Sequence, residues 1–178
     1  MTATRSDPLR VVSLAPSATA TLAALGAAEC LVGVTHHCDP PATAGSAHDA
    51  SPVAVGGWTT PALDRVEALS PDVVFTSDGL QAEVAAECRE RGLPVSHREP
   101  ATLDDVITGF CARAEAVDRP TAGDRLVAAA RARLDRVRDP ISRCHRRGGP
   151  GPDTHLTPPT EETAEYTADG VESRTKRH

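Results

Sequence analysis

The sequence predicts an α/β fold, built as a mostly parallel sheet with helices on both faces. Two observations lead there. Short apolar runs such as RVVSLA and PDVVFTS alternate with stretches of helical period, and close strand–helix alternation is the pattern of crossover-connected parallel strands. Proline and glycine punctuate the junctions where one element must give way to the next.

Arg10–Ala15 is the first predicted strand, ended by Pro16. A helix follows through Leu22 and Leu25, capped by Ser17 and stopped at Gly26. Leu31–Thr35 is a second strand. From His36 to Pro52 the chain is polar and proline-containing, which reads as a loop. Pro52–Gly56 is a short strand leading to Gly57 and Trp58. Pro61–Leu69 is a helix, with Leu63, Val66 and Leu69 on one face. Pro71–Ser77 is the clearest buried strand. Gly79–Arg91 is the next helix, closed by Gly92, and Leu93–Glu99 the last strand. Thr102 is the expected N-cap of a helix over 103–116, whose Asp104 and Asp105 sit where the helix dipole favours acids. Thr121–Arg138 is an amphipathic helix with arginines on its polar side.

Beyond Asp139 the large aliphatics thin out to Ile141, Leu156 and Val171, among five prolines and four glycines. Such a stretch has too little apolar surface to offset the entropy of ordering it, so 139–178 is expected to be a disordered tail. Its Arg, Pro, Gly, His and Thr mixture is also what an out-of-frame continuation of a GC-rich gene would give.

Composition narrows the function classes. The 178 residues are 39% hydrophobic, 25% charged and 2% aromatic, with a formal net charge of −6. A mildly acidic chain lacks the basic face that nucleic acid requires, so no nucleic-acid partner is expected. Five cysteines, an odd number with no CxxC pair, argue against a disulfide framework or a zinc ribbon. No apolar run approaches a membrane span, and the start MTATRSDPLR lacks the apolar core of a signal peptide, so the chain as written is expected in the cytoplasm. No G-x-G-x-x-G follows the first strand, and neither a P-loop nor a G-x-S-x-G elbow occurs. An α/β enzyme is therefore disfavoured, and no catalytic residue and no cofactor is expected.

Four stretches stand in a fixed order: RVVSLAPSATATLAALGA, LVGVTHHCDPP, VGGWTTPALDRVEALSPDVVFTS and GLPVSHREPATLDDVI. Together they resemble the N-terminal lobe of class III substrate-binding proteins of ABC uptake systems, over residues 9–138. The resemblance is nearest to cobalamin binders, with iron-siderophore and haem binders as relatives. It implies a Rossmann-like lobe followed by the start of a long inter-lobe helix, here 121–138, with ligand held between two lobes of which this chain carries one. It also implies a normally periplasmic or cell-surface protein, a corrinoid or iron-chelate ligand, and an ABC permease partner. A truncated, inactive fragment of such a protein is the competing reading.

The resemblance also implies a set of site residues. Ligand would meet the loops at the carboxyl ends of the strands, in keeping with the rule for open α/β sheets. The loop after the first strand offers Pro16 and Ser17, where free backbone N–H groups could meet an acid or amide, Ser17 reading first as a simple cap. The second loop offers His36 and His37; His37 matches a tyrosine that touches the corrin in cobalamin binders. Successive side chains of an extended segment diverge, so the two histidines are not expected to share a metal, and no metal site is expected. Asp39 reads as a cap of the turn into Pro40. Trp58 matches a cleft tryptophan whose flat indole suits a macrocycle. The fourth loop offers Asp78 and Gln81, Gln81 either bonding ligand amides or standing as a solvated helix residue. Asp64 matches an acid that docks on arginines of the transporter's membrane subunit, and reads equally as a first-turn helix acid.

Overall fold

The computed structural model describes residues 7–147, with their side chains through Arg138. Five strands form one sheet: β1 Val11–Ser13, β2 Leu31–Val34, β3 Val53–Ala54, β4 Val73–Ser77 and β5 Val95–Arg98. Their spatial order is β3-β2-β1-β4-β5, and every pairing is parallel. The central strands, β1 and β4, are buried throughout. That explains the run of apolar residues with which each begins: a parallel strand covered on both faces has no water-facing side that calls for alternating polar residues. The register sets Val11 against Val73 and Ser13 against Phe75. The two-residue β3 is exposed and β5 half-buried, as befits edge strands.

Five helices connect and cover the sheet: α1 Pro16–Ala24, α2 Leu63–Ala68, α3 Ala82–Glu90, α4 Leu103–Ala116 and α5 Pro120–Arg147. Two apolar clusters show that they divide between the faces. One cluster joins Val11, Leu31 and Phe75 of the sheet to Ala18 and Leu22 of α1 and Ala114 of α4, with Leu126 of α5 against it. The other joins Val12, Val32 and Val74 to Leu63 and Val66 of α2 and Val84 and Cys88 of α3. Adjacent residues of one strand point to opposite faces, so Val11 and Val12 feed different cores. Cys30, Cys38, Cys88 and Cys111 are free thiols.

The ends of the elements correct several expectations. Ser17 does not cap α1. Pro16 takes the first helical position, for which its fixed φ is suited, so the cap falls on extended Ala15, which offers no side-chain bond. Ser17 lies inside the first turn, too late to reach back to it. Gly26 does stop the helix, at φ +69° with its N–H on the Ala23 carbonyl. The helix after Trp58 begins at Leu63 rather than Pro61, because Pro61 pairs as an isolated antiparallel bridge with Gly56. Gly79–Gln81 is a separate 3-10 turn ahead of α3, and Gly92 closes α3. Thr102 caps α4 as expected. Its hydroxyl accepts from the Asp105 N–H at 3.1 Å while Asp105 reaches back to the Thr102 N–H at 2.8 Å, a reciprocal capping box.

The last helix is longer than its sequence pattern: α5 continues to Arg147, so residues 139–147, assigned to the tail on composition, are helical. The helix runs through Pro140, although a proline inside a helix removes a backbone bond. The rest of the tail expectation, residues 148–178, lies outside the described residues. Where α5 seats on α4, Gly123 makes the close approach. A Cβ there would lie 2.6 Å from the Ala114 Cβ.

Candidate functional site

Because all five strands run parallel, their carboxyl ends share one edge of the sheet. The loops after β1, β2, β3 and β4 leave from that edge, and they carry Pro16 and Ser17, His36 and His37, Trp58, and Asp78 and Gln81. In the order 3-2-1-4-5 the connections turn in opposite directions from β1 and β4, and ligands of open α/β sheets bind at that switch point. The Pro16 and Asp78 loops flank it.

The β1 loop is fixed from below. Thr19 donates its hydroxyl hydrogen to Ser13 Oγ at 2.8 Å, and Ser13 donates to the Ala15 carbonyl at 3.0 Å, all of it buried. Pro16 and Ser17 stand exposed above this pair. The second loop is a tight turn in which the Cys38 N–H bonds the Thr35 carbonyl. The turn thus closes at Thr35, ahead of the Asp39–Pro40 position expected from the sequence. His36 and His37 occupy its centre and are exposed, so the extended-chain argument for their divergence does not apply. Cys38 is tethered instead: its thiol lies 3.3 Å from Thr35 Oγ1 and 3.7 Å from the Ser13 carbonyl. Among the described residues, no three His, Cys, Asp or Glu side chains gather to hold a metal ion.

The third loop lies beside the second, with the His36 N–H on the Gly56 carbonyl at 3.0 Å. It is pinched by the Gly57 N–H to the Thr60 carbonyl. Trp58 is half-buried at its tip, and its indole Nε1 is enclosed without a hydrogen-bond partner. A buried indole N–H ordinarily finds an acceptor, so this donor is unspent.

Gln81 corrects the sequence reading most sharply. It is neither a solvated helix residue nor an uncommitted amide. The side chain is fully buried. Its Oε1 accepts from the Ser77 N–H at 2.8 Å, and its Nε2 donates to the Leu14 carbonyl at 2.9 Å and the Trp58 carbonyl at 2.7 Å. One amide therefore ties the ends of β1 and β4 to the tryptophan loop, beneath the switch point. The only signal for it in the sequence was a polar residue four positions after the end of a buried strand. Asp78, next to it, adopts φ +63° and ψ 167° and accepts from the Leu80 N–H at 2.9 Å. That backbone region is nearly reserved for glycine, so the loop stores strain at this edge.

Asp64 sits apart, on the exposed start of α2. It accepts from Arg91 Nη1 at 2.7 Å; Glu67 and Glu87 also surround Arg91, at 3.4 and 3.2 Å. These acids raise the pKa of the Arg91 guanidinium, its hydrogen bond to Asp64 contributing most. The acidic spot of three carboxylates is therefore partly neutralised by the chain itself.

The comparisons with known proteins agree with this architecture. The model of the family described as periplasmic binding protein matches residues 11–147. A vitamin B12-binding protein of Vibrio parahaemolyticus is 29% identical over 117 residues, 65% of this chain and 41% of the relative. One of Pectobacterium atrosepticum is 31% identical over 106 residues, 59% of this chain and 36% of the relative. The chain thus spans well under half the length of these curated relatives. Among solved structures, a periplasmic heme-binding protein of Roseiflexus sp. RS-1 superimposes with a TM-score of 0.63 at 27% identity, over 76% of this chain and 51% of the other. The periplasmic vitamin B12 binding protein of Vibrio cholerae does so with 0.63 at 25%, over 75% and 51%. No helix among the described residues is long and apolar enough to cross a membrane.

Proposed function

Since the chain belongs to the periplasmic binding protein family, we propose that its five-stranded lobe binds cobalamin or a related corrinoid as one half of a substrate-binding protein. In that role the protein is a carrier and not an enzyme, and delivers its ligand to an ABC permease. The observation that carries the reading is Trp58: a half-buried indole with an unspent N–H, held at the binding edge through its own carbonyl by buried Gln81. Such a ring offers a corrin a flat apolar surface. A preformed loop of this kind saves the ordering cost that a flexible one would bear on binding.

The remaining residues take supporting roles. His37 and His36, exposed on the turn beside Trp58, can stack on the macrocycle or approach its metal. The Ser17 N–H, without a bonding partner among the described residues, is a donor at the amino end of α1 for a ligand carbonyl. Asp78 shapes the opposite wall, while Gln81 acts on ligand only through the loops it ties. Asp64 would guide the lobe to a basic permease surface, with Arg91 competing for it. The names of the relatives from Vibrio and Pectobacterium support the corrinoid. A second reading, haem, is favoured by the Roseiflexus structure. A complete clamp needs a second lobe, and residues 9–138 would supply the first.

The test is a titration of the full chain with cyanocobalamin, aquocobalamin and hemin, following Trp58 emission corrected for absorption, alongside calorimetry. Saturable corrinoid binding that Trp58→Ala abolishes and His37→Ala weakens is the expected result. Hemin binding alone would transfer the site to the second reading. A folded chain that binds none of the three would refute both.

A further inference from the structure

A pocket of about 330 Å³ lies between α1 and α4, on the sheet face away from α2 and α3. That is within the roughly 300–1,000 Å³ of small-molecule sites. Of the site residues expected from the sequence only Ser17 borders it, and Trp58, on which the corrinoid reading rests, does not.

Its unusual member is Arg113. The residue is 6% exposed, yet its guanidinium makes no hydrogen bond and no ion pair among the described residues. The charged group that acts on it is a second cation, Arg98, from the end of β5. Both converge on the bare backbone of Gly109: a Cβ there would lie 3.3 Å from Arg113 Nη1 and 3.5 Å from Arg98 Nε. Buried charges in folded proteins are normally paired, because an uncompensated one is strongly destabilising.

No acid forms an ion pair with either arginine among the described residues. Asp105 borders the pocket and feels the charge of Arg98, but its Oδ2 accepts from the Thr102 hydroxyl and N–H and from the Ala101 N–H. Glu99 Oε1 lies 2.8 Å from His97 Nε2. From α1 the pocket receives only small and neutral side chains, and from α5 Leu126. Burial first, and then Arg98, pushes the Arg113 pKa below its usual value; a guanidinium nevertheless stays protonated.

We propose that this pocket binds a small carboxylate with an apolar body, the carboxylate resting on Arg113 and Arg98. The planar fork of a guanidinium matches a carboxylate with two parallel hydrogen bonds. The apolar body is set by the walls. Ala24, Val106, Phe110 and Leu126 line the pocket and also an adjoining groove of about 500 Å³ along α4 and α5. An alkyl chain anchored at the arginines has a continuous apolar path to lie in. A bare phosphate or acetate would satisfy the charge and leave that path empty.

The test is calorimetric titration of the full chain with sodium octanoate, with octanol as the uncharged control and acetate and phosphate as tail-less ones. Octanoate should bind saturably and at least tenfold more tightly than any control. Arg113→Met should weaken it at least tenfold, and Arg98→Met, a half-exposed change that keeps the fold, at least threefold. Octanoate should also raise the thermal midpoint of the wild type and leave that of Arg113→Met unmoved. Absent octanoate binding by folded wild type, equal binding of octanol, or unchanged affinity in Arg98→Met would overturn the proposal. Phosphate binding as tight as octanoate would overturn it as well, by removing the apolar body.

Discussion

Replacing Gln81 by methionine should cost this lobe a large part of its stability while leaving its core volume nearly unchanged. The side chains are similar in length, so the transfer and cavity contributions of a truncation are small. What disappears is the pairing of three backbone groups. The Ser77 N–H and the Leu14 carbonyl are buried with Gln81, and a buried group left without its partner costs about 1–3 kcal/mol. The third, the Trp58 carbonyl, is only partly buried and can turn to water. Two orphaned groups give about 2–6 kcal/mol, against a total of about 5–15 kcal/mol for an ordinary domain. Urea denaturation followed by far-UV circular dichroism measures this as a lower midpoint at unchanged slope. Gln81→Glu should be worse at neutral pH, because a carboxylate would face two carbonyl oxygens. Trp58 emission in the native variants should shift as the loop loses its tether. A methionine variant within about 1 kcal/mol of wild type, with the emission unmoved, would refute the role assigned to this amide.

Two further outcomes are set by the packing and the caps. Gly123→Ala should destabilise by about 1–3 kcal/mol in the same urea assay, because the new methyl group would meet the Ala114 Cβ and lift α5 from α4. Thr102→Ala should cost about 1 kcal/mol at pH 7, and less in acid. The Thr102 hydroxyl, and then its N–H, hold the Asp105 carboxyl below the usual carboxylate range. A carboxylate depressed in the folded state stabilises above its unfolded pKa, about 3.9, and loses that contribution as pH falls through the folded value. Urea midpoints of wild type and Thr102→Ala should therefore converge between pH 7 and pH 3; a gap that stays constant would show that Asp105 takes no part in the cap.

Much of the fold was legible because its signals are local. Val11–Ser13 and Val73–Ser77 carry strand character in their own composition, Gly26 and Gly92 mark helix ends by needing positive φ, and Thr102 announces its cap three residues before Asp105. One error came from competition between neighbouring signals: Pro16 displaced Ser17 from the cap position. Another came from composition, which assigned 139–147 to the tail although the helix continues to Arg147. The site was legible at the level of loops, because parallel strands deliver their ends to one edge. It was not legible where the function of a side chain is set by remote partners. Gln81 acquires its role from Leu14, 67 positions away, and Arg113 stands out from the other arginines only once α4 has buried it beside Arg98. Periodicity carries no information about either.

The strand order has a further consequence, for the birth of the chain. The centre of the sheet is the ladder between β1 and β4, in which Val11 meets Val73. At about 5–20 residues per second of synthesis, the second partner emerges after the first by roughly 3–12 seconds. Once β2 has emerged, β1 has it on one side and an open edge on the other until β4 follows. An apolar strand with unmet backbone groups is a template for any other strand that comes near. The centre of the finished sheet is thus an open edge during synthesis, and a holding chaperone would have work to do at least until residue 77 has emerged.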